Sequence, residues 1–240
     1  MAKYYSLVYS SFAADFKAAL EDYYGDGVTV ESASGQTIEF SCPQICDKPL
    51  YISNGKPLSS APTYVLVGKC GDVTFQSSNE YSSKGSVEPY HLILSDDFLL
   101  LQLVDSVSVA YSTTILVAKT TNGRFLCMGG SGVQGNKNYG VCQFTDEVDN
   151  RPVWFMTPCQ KPFRTAKKIP IFKSHFAIGG EMELNDDGTF AYIDGLYLTG
   201  EKTAGGIVGL NYFLSNDSVG GNSTNGVYMP NAFYVDIDLE

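Results

Sequence analysis

The chain has 240 residues, with 16 lysines and arginines against 26 aspartates and glutamates, so its formal net charge is −10. A charge of this sign opposes binding to a phosphate backbone, and we expect no nucleic-acid partner. Charged residues make up 18% of the chain and apolar residues 44%, a composition that excludes disorder and allows a sizeable core.

Targeting and membrane signals are not visible in the sequence. Residues Met1–Val8 lack the apolar core and cleavage site of an export signal, so we expect none in the chain as given. The longest apolar run, Phe98–Val104, contains Gln102 and falls well short of the roughly 20 residues that span a bilayer as a helix. This run predicts a buried strand, and we expect no membrane insertion.

The first clear element is an amphipathic helix near the N-terminus. Ser11 is the predicted N-cap and Gly25 the predicted stop. The predicted buried face consists of Phe12, Phe16, Ala19, Leu20 and Tyr23.

After this helix, short alternating segments separated by turn-forming residues predict strands. Their density predicts antiparallel pairing, and Asn122-Gly123 predicts a tight hairpin turn. Asn185–Gly188 predicts another turn. The predicted strands include 28–31, 37–40, 63–69, 73–76, 89–94, 98–104, 107–111, 114–118, 124–128, 139–144, 171–173, 175–178, 181–184 and 232–237.

Composition also suggests a division of the chain. Segment 149–170 contains four prolines, which are unfavourable in central strands, and we interpret it as a linker. It separates an N-terminal α+β or β domain, 1–148, from a small C-terminal β-domain, 171–240. The predicted fold class is mainly β, with antiparallel sheets in a sandwich or barrel-like arrangement and one N-terminal amphipathic helix.

The six cysteines are expected to be free thiols, because a chain of this size has a core and shows no signal for an oxidising compartment. The one close pair is Cys42 and Cys46. Its three-residue spacing differs from the two-residue spacing typical of zinc and thioredoxin-type motifs. We therefore expect no metal site and no cofactor.

Catalytic candidates are few. His91 and His175 are the two histidines, and a nucleophilic pair of His91 with Cys42 or Cys46 matches no protease signature. Glu181 and Glu183 lie two residues apart, so on a strand their carboxylates would share a face, as glycoside hydrolysis or plain solvation would both allow. We predict no catalytic residues and keep a hydrolase as an alternative.

Residues Gly130–Gly135 match the glycine pattern of dinucleotide-binding loops. That loop works because a helix begins at its glycines and directs its amides at a pyrophosphate. Here polar residues 136–138 and a predicted strand follow instead. The pattern therefore predicts a loop between strands.

Tyrosine is abundant, with 16 residues, and half-buried tyrosines suit protein interfaces, stacking on sugars or plain strand packing. All three interpretations stay open. Segment 216–225 lacks helix or strand periodicity and predicts an exposed loop. The candidate contacts for a glycan or a partner are Tyr212, Asn216, Asn222 and Tyr228.

The acidic, glycine- and tyrosine-rich, mostly β character, together with segments Lys3–Gly25 and Ile178–Tyr197, resembles structural proteins of tailed bacteriophages and prophages, particularly tail and tail-tip components. The resemblance implies a virion component made in a bacterial host cytoplasm. It further implies self-assembly into a ring or trimer beside other virion proteins, without catalysis. The alternatives are a glycan-binding adhesin-type β module, with a cell-surface glycan as partner, and the hydrolase above.

Overall fold

A computed structural model describes residues 1–55, 63–76, 81–82, 90–104, 112–132, 141–144, 151–155, 171–178, 181–199, 206–208, 211–215 and 232–237. These residues form one α-helix, two short 3-10 turns (Tyr9–Ser11 and Gly25–Gly27) and twenty strands. The helix is α1 (Phe12–Tyr24).

The strands are named in chain order. Those of the first half are β1 (Lys3–Leu7), β2 (Thr29–Ser34), β3 (Thr37–Ser41), β4 (Leu50–Gly55), β5 (Thr63–Cys70), β6 (Val73–Gln76), β7 (Tyr81–Ser82), β8 (Tyr90–Leu94), β9 (Phe98–Val104) and β10 (Ser112–Lys119). Those of the second half are β11 (Phe125–Gly132), β12 (Val141–Phe144), β13 (Arg151–Phe155), β14 (Ile171–Lys173), β15 (Phe176–Ile178), β16 (Glu181–Met182), β17 (Tyr197–Thr199), β18 (Gly206–Val208), β19 (Asn211–Ser215) and β20 (Ala232–Asp236).

Within the described residues these strands form three sheets. The central sheet has the order β1-β8-β9-β10-β11-β12-β13-β15-β16, the N-terminal sheet β2-β3-β4-β5-β6 with β7 beside β5, and the C-terminal sheet β14-β17-β20-β19-β18. All pairs of named strands are antiparallel. The prediction of a mainly β chain with antiparallel, sandwich-like sheets and one N-terminal helix is confirmed.

The central sheet is buried on both faces. In β9, Leu99 and Leu101 belong to a first core with the helix and the N-terminal sheet, whereas Leu100 belongs to a second core on the opposite face. Neighbouring strands continue this alternation, because successive side chains of a strand point to opposite faces. The continuous apolar run Phe98–Val104 is therefore a strand covered on both sides, as predicted.

The first core joins α1 to both sheets. Phe12 and Phe16 of the helix are fully buried, and their rings contact Tyr90 of β8 and Phe40 of β3. Gly25 ends the helix with φ +53°, a left-handed conformation that glycine adopts at low cost. Ser11 is the N-cap residue, but its hydroxyl donates to Asp15 Oδ2 at 2.6 Å and makes no capping bond to the helix backbone.

The second core joins the central sheet to the C-terminal part of the chain. It contains Leu100, Leu116 and Leu126 of the sheet together with Ile193 and Val235. Ala2 also forms a parallel bridge with Ile237, so the two ends of the described chain lie side by side.

The two turns predicted from sequence are both present in the structure. The Asn122-Gly123 hairpin is confirmed between β10 and β11, with Gly123 at φ +80°. The Asn185–Gly188 turn is confirmed as well. Segment 107–111, predicted as a strand, lies outside the described residues.

The proline-containing segment 149–170 includes a strand that the sequence did not predict. This strand, β13, pairs with β12 on one side and β15 on the other, although Pro152 lies within it. One sheet thus takes strands from both sides of the predicted domain boundary. The reason is that pairing depends on neighbours distant in sequence, which composition cannot indicate.

Of the helices in the described residues, none is long and apolar enough to cross a membrane.

Candidate functional site

Three buried cysteines converge where the two sheets of the first core meet. The Sγ atoms of Cys46, Cys70 and Cys127 all lie within 4.8 Å of one another, and the Cys46 and Cys70 Sγ atoms are 2.8 Å apart. All three side chains are at most 1% exposed. Among the described residues, this is the one cluster of three or more ligating groups within such a distance.

Each cysteine comes from a different element. Cys46 lies at the end of the turn that follows β3. The Cys46 backbone N–H donates to the Cys42 carbonyl at 3.0 Å and closes this turn. Cys70 is the last residue of β5. Cys127 lies in β11, and its side chain is buried in the first core, between the central and N-terminal sheets. The cluster therefore ties the N-terminal sheet to the central sheet.

The three thiols share hydrogen bonds, and this polarises them unequally. Hydrogen bonds from Cys127 and Cys70 lower the pKa of Cys46, and this outweighs the effect of its burial. At Cys127, the bonds to Cys46 and Cys70, together with burial, raise the pKa. The shared hydrogen bonds therefore favour the charged form at Cys46 and disfavour it at Cys127.

The cysteine prediction is confirmed in part. Cys42, Cys46, Cys70 and Cys127 are free thiols, as expected. The sequence pointed to Cys42 and Cys46 as the close pair and missed the convergence of Cys46 with Cys70 and Cys127. Nothing in the spacing signals it, because 24 residues separate Cys46 from Cys70.

His91, considered above as a possible partner of Cys42 or Cys46 and not predicted to be catalytic, contacts a tyrosine. Its Nδ1 lies 3.1 Å from the Tyr4 hydroxyl, and the two rings are 5.9 Å apart at their centroids. Desolvation lowers the pKa of His91 to about 4. At neutral pH it is an uncharged residue of β8, set between β1 and β9.

His175 is also engaged within the chain. Its Nδ1 lies 3.2 Å from the Ala191 carbonyl oxygen, and its ring meets those of Phe190 and Tyr192 edge-on. These contacts hold residues 190–192 against the short segment between β14 and β15.

The two glutamates considered for acid–base chemistry occupy different environments. Glu181 is exposed, whereas Glu183 is partly buried and forms an ion pair with Arg124, Oε2 to Nη1 at 3.3 Å. The Asn122 side-chain amide also donates to Glu183 Oε2. Glu183 therefore links the β10–β11 turn to the segment 183–190, which turns back on itself at Asn185–Gly188.

The N-terminal tyrosines bond within the chain. The Tyr5 hydroxyl donates to Asp22 at 2.6 Å, Tyr23 to the Met1 carbonyl at 2.6 Å and Tyr24 to the Ser95 carbonyl at 2.8 Å. Burial raises the pKa of Tyr24. These side chains hold α1 against β1 and the β8–β9 turn, which favours the packing interpretation over the interface interpretation for this group.

Strand β2 forms an exposed edge of the N-terminal sheet. Strand β2 is exposed at every residue except Val30, which is half-buried, and among the described residues it pairs with β3 alone. Its register shifts between Val30 and Ser32, which marks a β-bulge.

A shallow depression lies on the solvent-facing side of the same sheet. Glu39, Tyr51 and Lys69 are cross-strand neighbours on β3, β4 and β5, and they line a depression of about 290 Å³. The Lys69 ammonium lies 5.6 Å from the centre of the Tyr51 ring. This ladder follows from the alternation of the strands, which sends Ile38, Phe40 and Ile52 to the core.

Of the predicted glycan or partner contacts, Tyr212 lies in β19, whereas Asn216, Asn222 and Tyr228 lie outside the described residues. Those predictions stay predictions. Compared with family models, curated proteins and solved structures, the chain gives no significant match.

Proposed function

We propose that this chain is a structural, self-assembling component of a phage or phage-like particle, of the tail or tail-tip type. It acts through contacts with further copies of itself and with other virion proteins, and it carries out no catalysis. It is made in the cytoplasm of a bacterial host and becomes part of the virion.

The observation that carries this proposal is the exposed edge of β2. An edge strand presents a row of backbone N–H and C=O groups that another strand can satisfy. Natural proteins commonly protect such edges with lysine, proline, a β-bulge or a covering element, and of these β2 has the bulge. Strand β2 contains neither lysine nor proline, and five of its six residues are exposed.

The bulge in β2 makes this edge selective. A bulge bends a strand and increases its twist, which discourages flat, open-ended stacking. With Glu31 at the bend, the straight portion is Ser32–Ser34. A second copy that fits this bend completes the sheet, and a closed ring or trimer satisfies every copy in the same way.

Net charge supports controlled association. Each chain carries −10, so random encounters between copies are opposed by repulsion, while a short polar strand still allows backbone pairing. The histidines and Glu183, bonded within the chain, support a framework function more than a catalytic one.

The test is the mass of the native particle in solution. Light scattering at micromolar concentration should give a whole-number multiple of 26.1 kDa that is at least threefold, as a trimer or ring requires. Ala33→Lys places a charge on the exposed edge and should weaken association by at least about tenfold, or roughly 1.4 kcal/mol.

Ala18→Lys is the matched control, because Ala18 is an exposed alanine on α1 and the charge change is the same. It should leave the mass unchanged. A wild-type mass near 26.1 kDa across a wide range of salt contradicts self-assembly. Polysaccharide binding that Tyr212→Ala or Tyr228→Ala removes would then favour the glycan-binding alternative.

A further inference from the structure

The cluster of Cys46, Cys70 and Cys127 has the composition of a metal-binding site. Thiolate sulfur is the ligand preferred by thiophilic ions such as Zn²⁺, which it binds at about 2.3 Å. Three sulfurs within 4.8 Å of one another can reach one such ion with small side-chain adjustments. No sequence motif brings them together, so the fold itself assembles the ligand set.

The surroundings of the cluster suit a charged ligand set. The backbone N–H of Lys48 hydrogen-bonds to the Cys46 sulfur, a contact that stabilises a thiolate. Thiolate charge in a core is costly unless it is compensated, and a divalent cation compensates it.

We propose that Cys46, Cys70 and Cys127 form a buried three-sulfur site for a thiophilic divalent metal ion, with Zn²⁺ as the natural choice. Each thiol that ligates the ion releases its proton to solvent, and no oxidant or reductant takes part. Because the sulfurs are inaccessible in the folded chain, the ion enters during folding. The bound ion cross-links the turn after β3 and the end of β5 to β11, and so stabilises the contact between the two sheets.

A disulfide between Cys46 and Cys70 is the competing use of these thiols. Their sulfurs are 2.8 Å apart, against about 2.05 Å in a disulfide, so the described state is unbonded. A disulfide would leave Cys127 alone and remove two of the three ligands. The two interpretations therefore predict opposite results for metal retention.

The experiment uses the full chain and Cd²⁺ as a spectroscopic probe that binds thiolates as Zn²⁺ does. The chain is unfolded and refolded with reductant and one equivalent of Cd²⁺, then freed of loose metal by gel filtration. We expect one ion per chain by mass spectrometry of the metal, a sulfur-to-cadmium charge-transfer band, and a higher unfolding temperature than without the ion.

Cysteine variants locate the site. Cys70→Ala and Cys127→Ala should each lower retention by more than about tenfold, the lower end of what loss of even a supporting residue costs. Cys42→Ala removes a thiol that is equally buried in the same turn but lies outside the three-sulfur cluster, and it should retain the ion.

Several outcomes overturn the proposal. One is a wild-type chain that retains no Cd²⁺, or retains it without a gain in unfolding temperature, a measurement that does not depend on the variants folding. Another is undiminished retention in a folded Cys127→Ala chain, and a third is loss in Cys42→Ala. A Cys46–Cys70 disulfide that peptide mapping finds in chain purified without reductant, together with no metal retention after reduction, overturns it too.

Discussion

The central and N-terminal sheets differ in the number of faces they bury. In β9 and β10 of the central sheet, residues 98–102 and 115–118 are all buried, because one core lies on each side. In β3 and β4 burial alternates, and one face with Glu39 and Tyr51 remains open to solvent. A continuous apolar run thus marks a strand covered on both faces, and alternation marks a strand with one face open to solvent.

The difference continues to the outermost strand. Strand β2 contributes little to either core, whereas every strand from β8 to β11 contributes to both. The core is therefore built on the central sheet, and under the proposed function assembly uses β2. Substitutions in the central sheet should change the free energy of unfolding, and substitutions at β2 should change association.

The largest expected change in the free energy of unfolding comes from substitutions on the two faces of the central sheet. Leu100→Ala and Leu101→Ala remove neighbouring side chains that point into opposite cores, and each should lower the free energy of unfolding by about 2–5 kcal/mol. Urea unfolding monitored by circular dichroism measures this.

Ala33→Ser on β2 is the control for these leucine variants, with an expected change within about 0.5 kcal/mol. If only one of the two leucine variants is destabilised, one face of the sheet is open and the comparison fails.

The next effect concerns pH, because His91 is a titratable residue set in the central sheet. Its pKa is about 4 in the folded chain and 6.5 when exposed, so below pH 6.5 the unfolded chain binds a proton that the folded chain does not. Stability should fall as the pH drops from 6.5 to 4, by up to about 3 kcal/mol, and this contribution should level off below pH 4.

His91→Gln should remove that part of the pH dependence. The carboxylates titrate in both proteins, so the difference between the two stability curves isolates the histidine. Chemical unfolding at a series of pH values between 4 and 7.5 measures it. Parallel curves for the two proteins would show that His91 is accessible to protons in the folded state.

The smallest expected effect concerns the polar contact that joins the two sheets. The Asn54 side-chain amide of β4 donates to the Tyr90 hydroxyl of β8 at 2.6 Å, and both side chains are fully buried. Tyr90→Phe should lower the free energy of unfolding by about 1–2 kcal/mol, because the buried Asn54 amide loses the hydroxyl that accepts its hydrogen bond.

Tyr51→Phe, on the solvent-facing side of the N-terminal sheet, provides the comparison and should change stability by less than about 0.5 kcal/mol. Thermal unfolding of both variants measures the difference. Equal effects would mean that the Asn54–Tyr90 bond adds nothing to the contact between the sheets.

Much of the local structure could be predicted from sequence. The predicted helix began at Phe12 and stopped at Gly25, and the structure has α1 at Phe12–Tyr24. The Asn122-Gly123 turn was predictable because few residues other than glycine tolerate φ near +80°. Periodicity and turn chemistry depend on residues close together in the chain, and these are visible without a fold.

The candidate sites were less accessible to sequence reasoning. Cys42 and Cys46 attracted attention because they are close in sequence, yet Cys46 clusters with Cys70 and Cys127. The tyrosines suggested an interface, but the structure uses Tyr5, Tyr23 and Tyr24 to fasten the helix to its own chain. Each of these contacts depends on which strands pair and on how the sheets face each other.

The sequence by itself determined the secondary-structure class, the helix and the buried strand Phe98–Val104, since these follow from local patterns of apolar and turn-forming residues. Only the tertiary structure decided that β13 joins β12 to β15, that three thiols meet between two sheets and that β2 is left at an edge. The physical reason is that antiparallel pairing and sheet packing are choices among partners distant in sequence. Those choices are made by the free energy of the whole core rather than by any one segment.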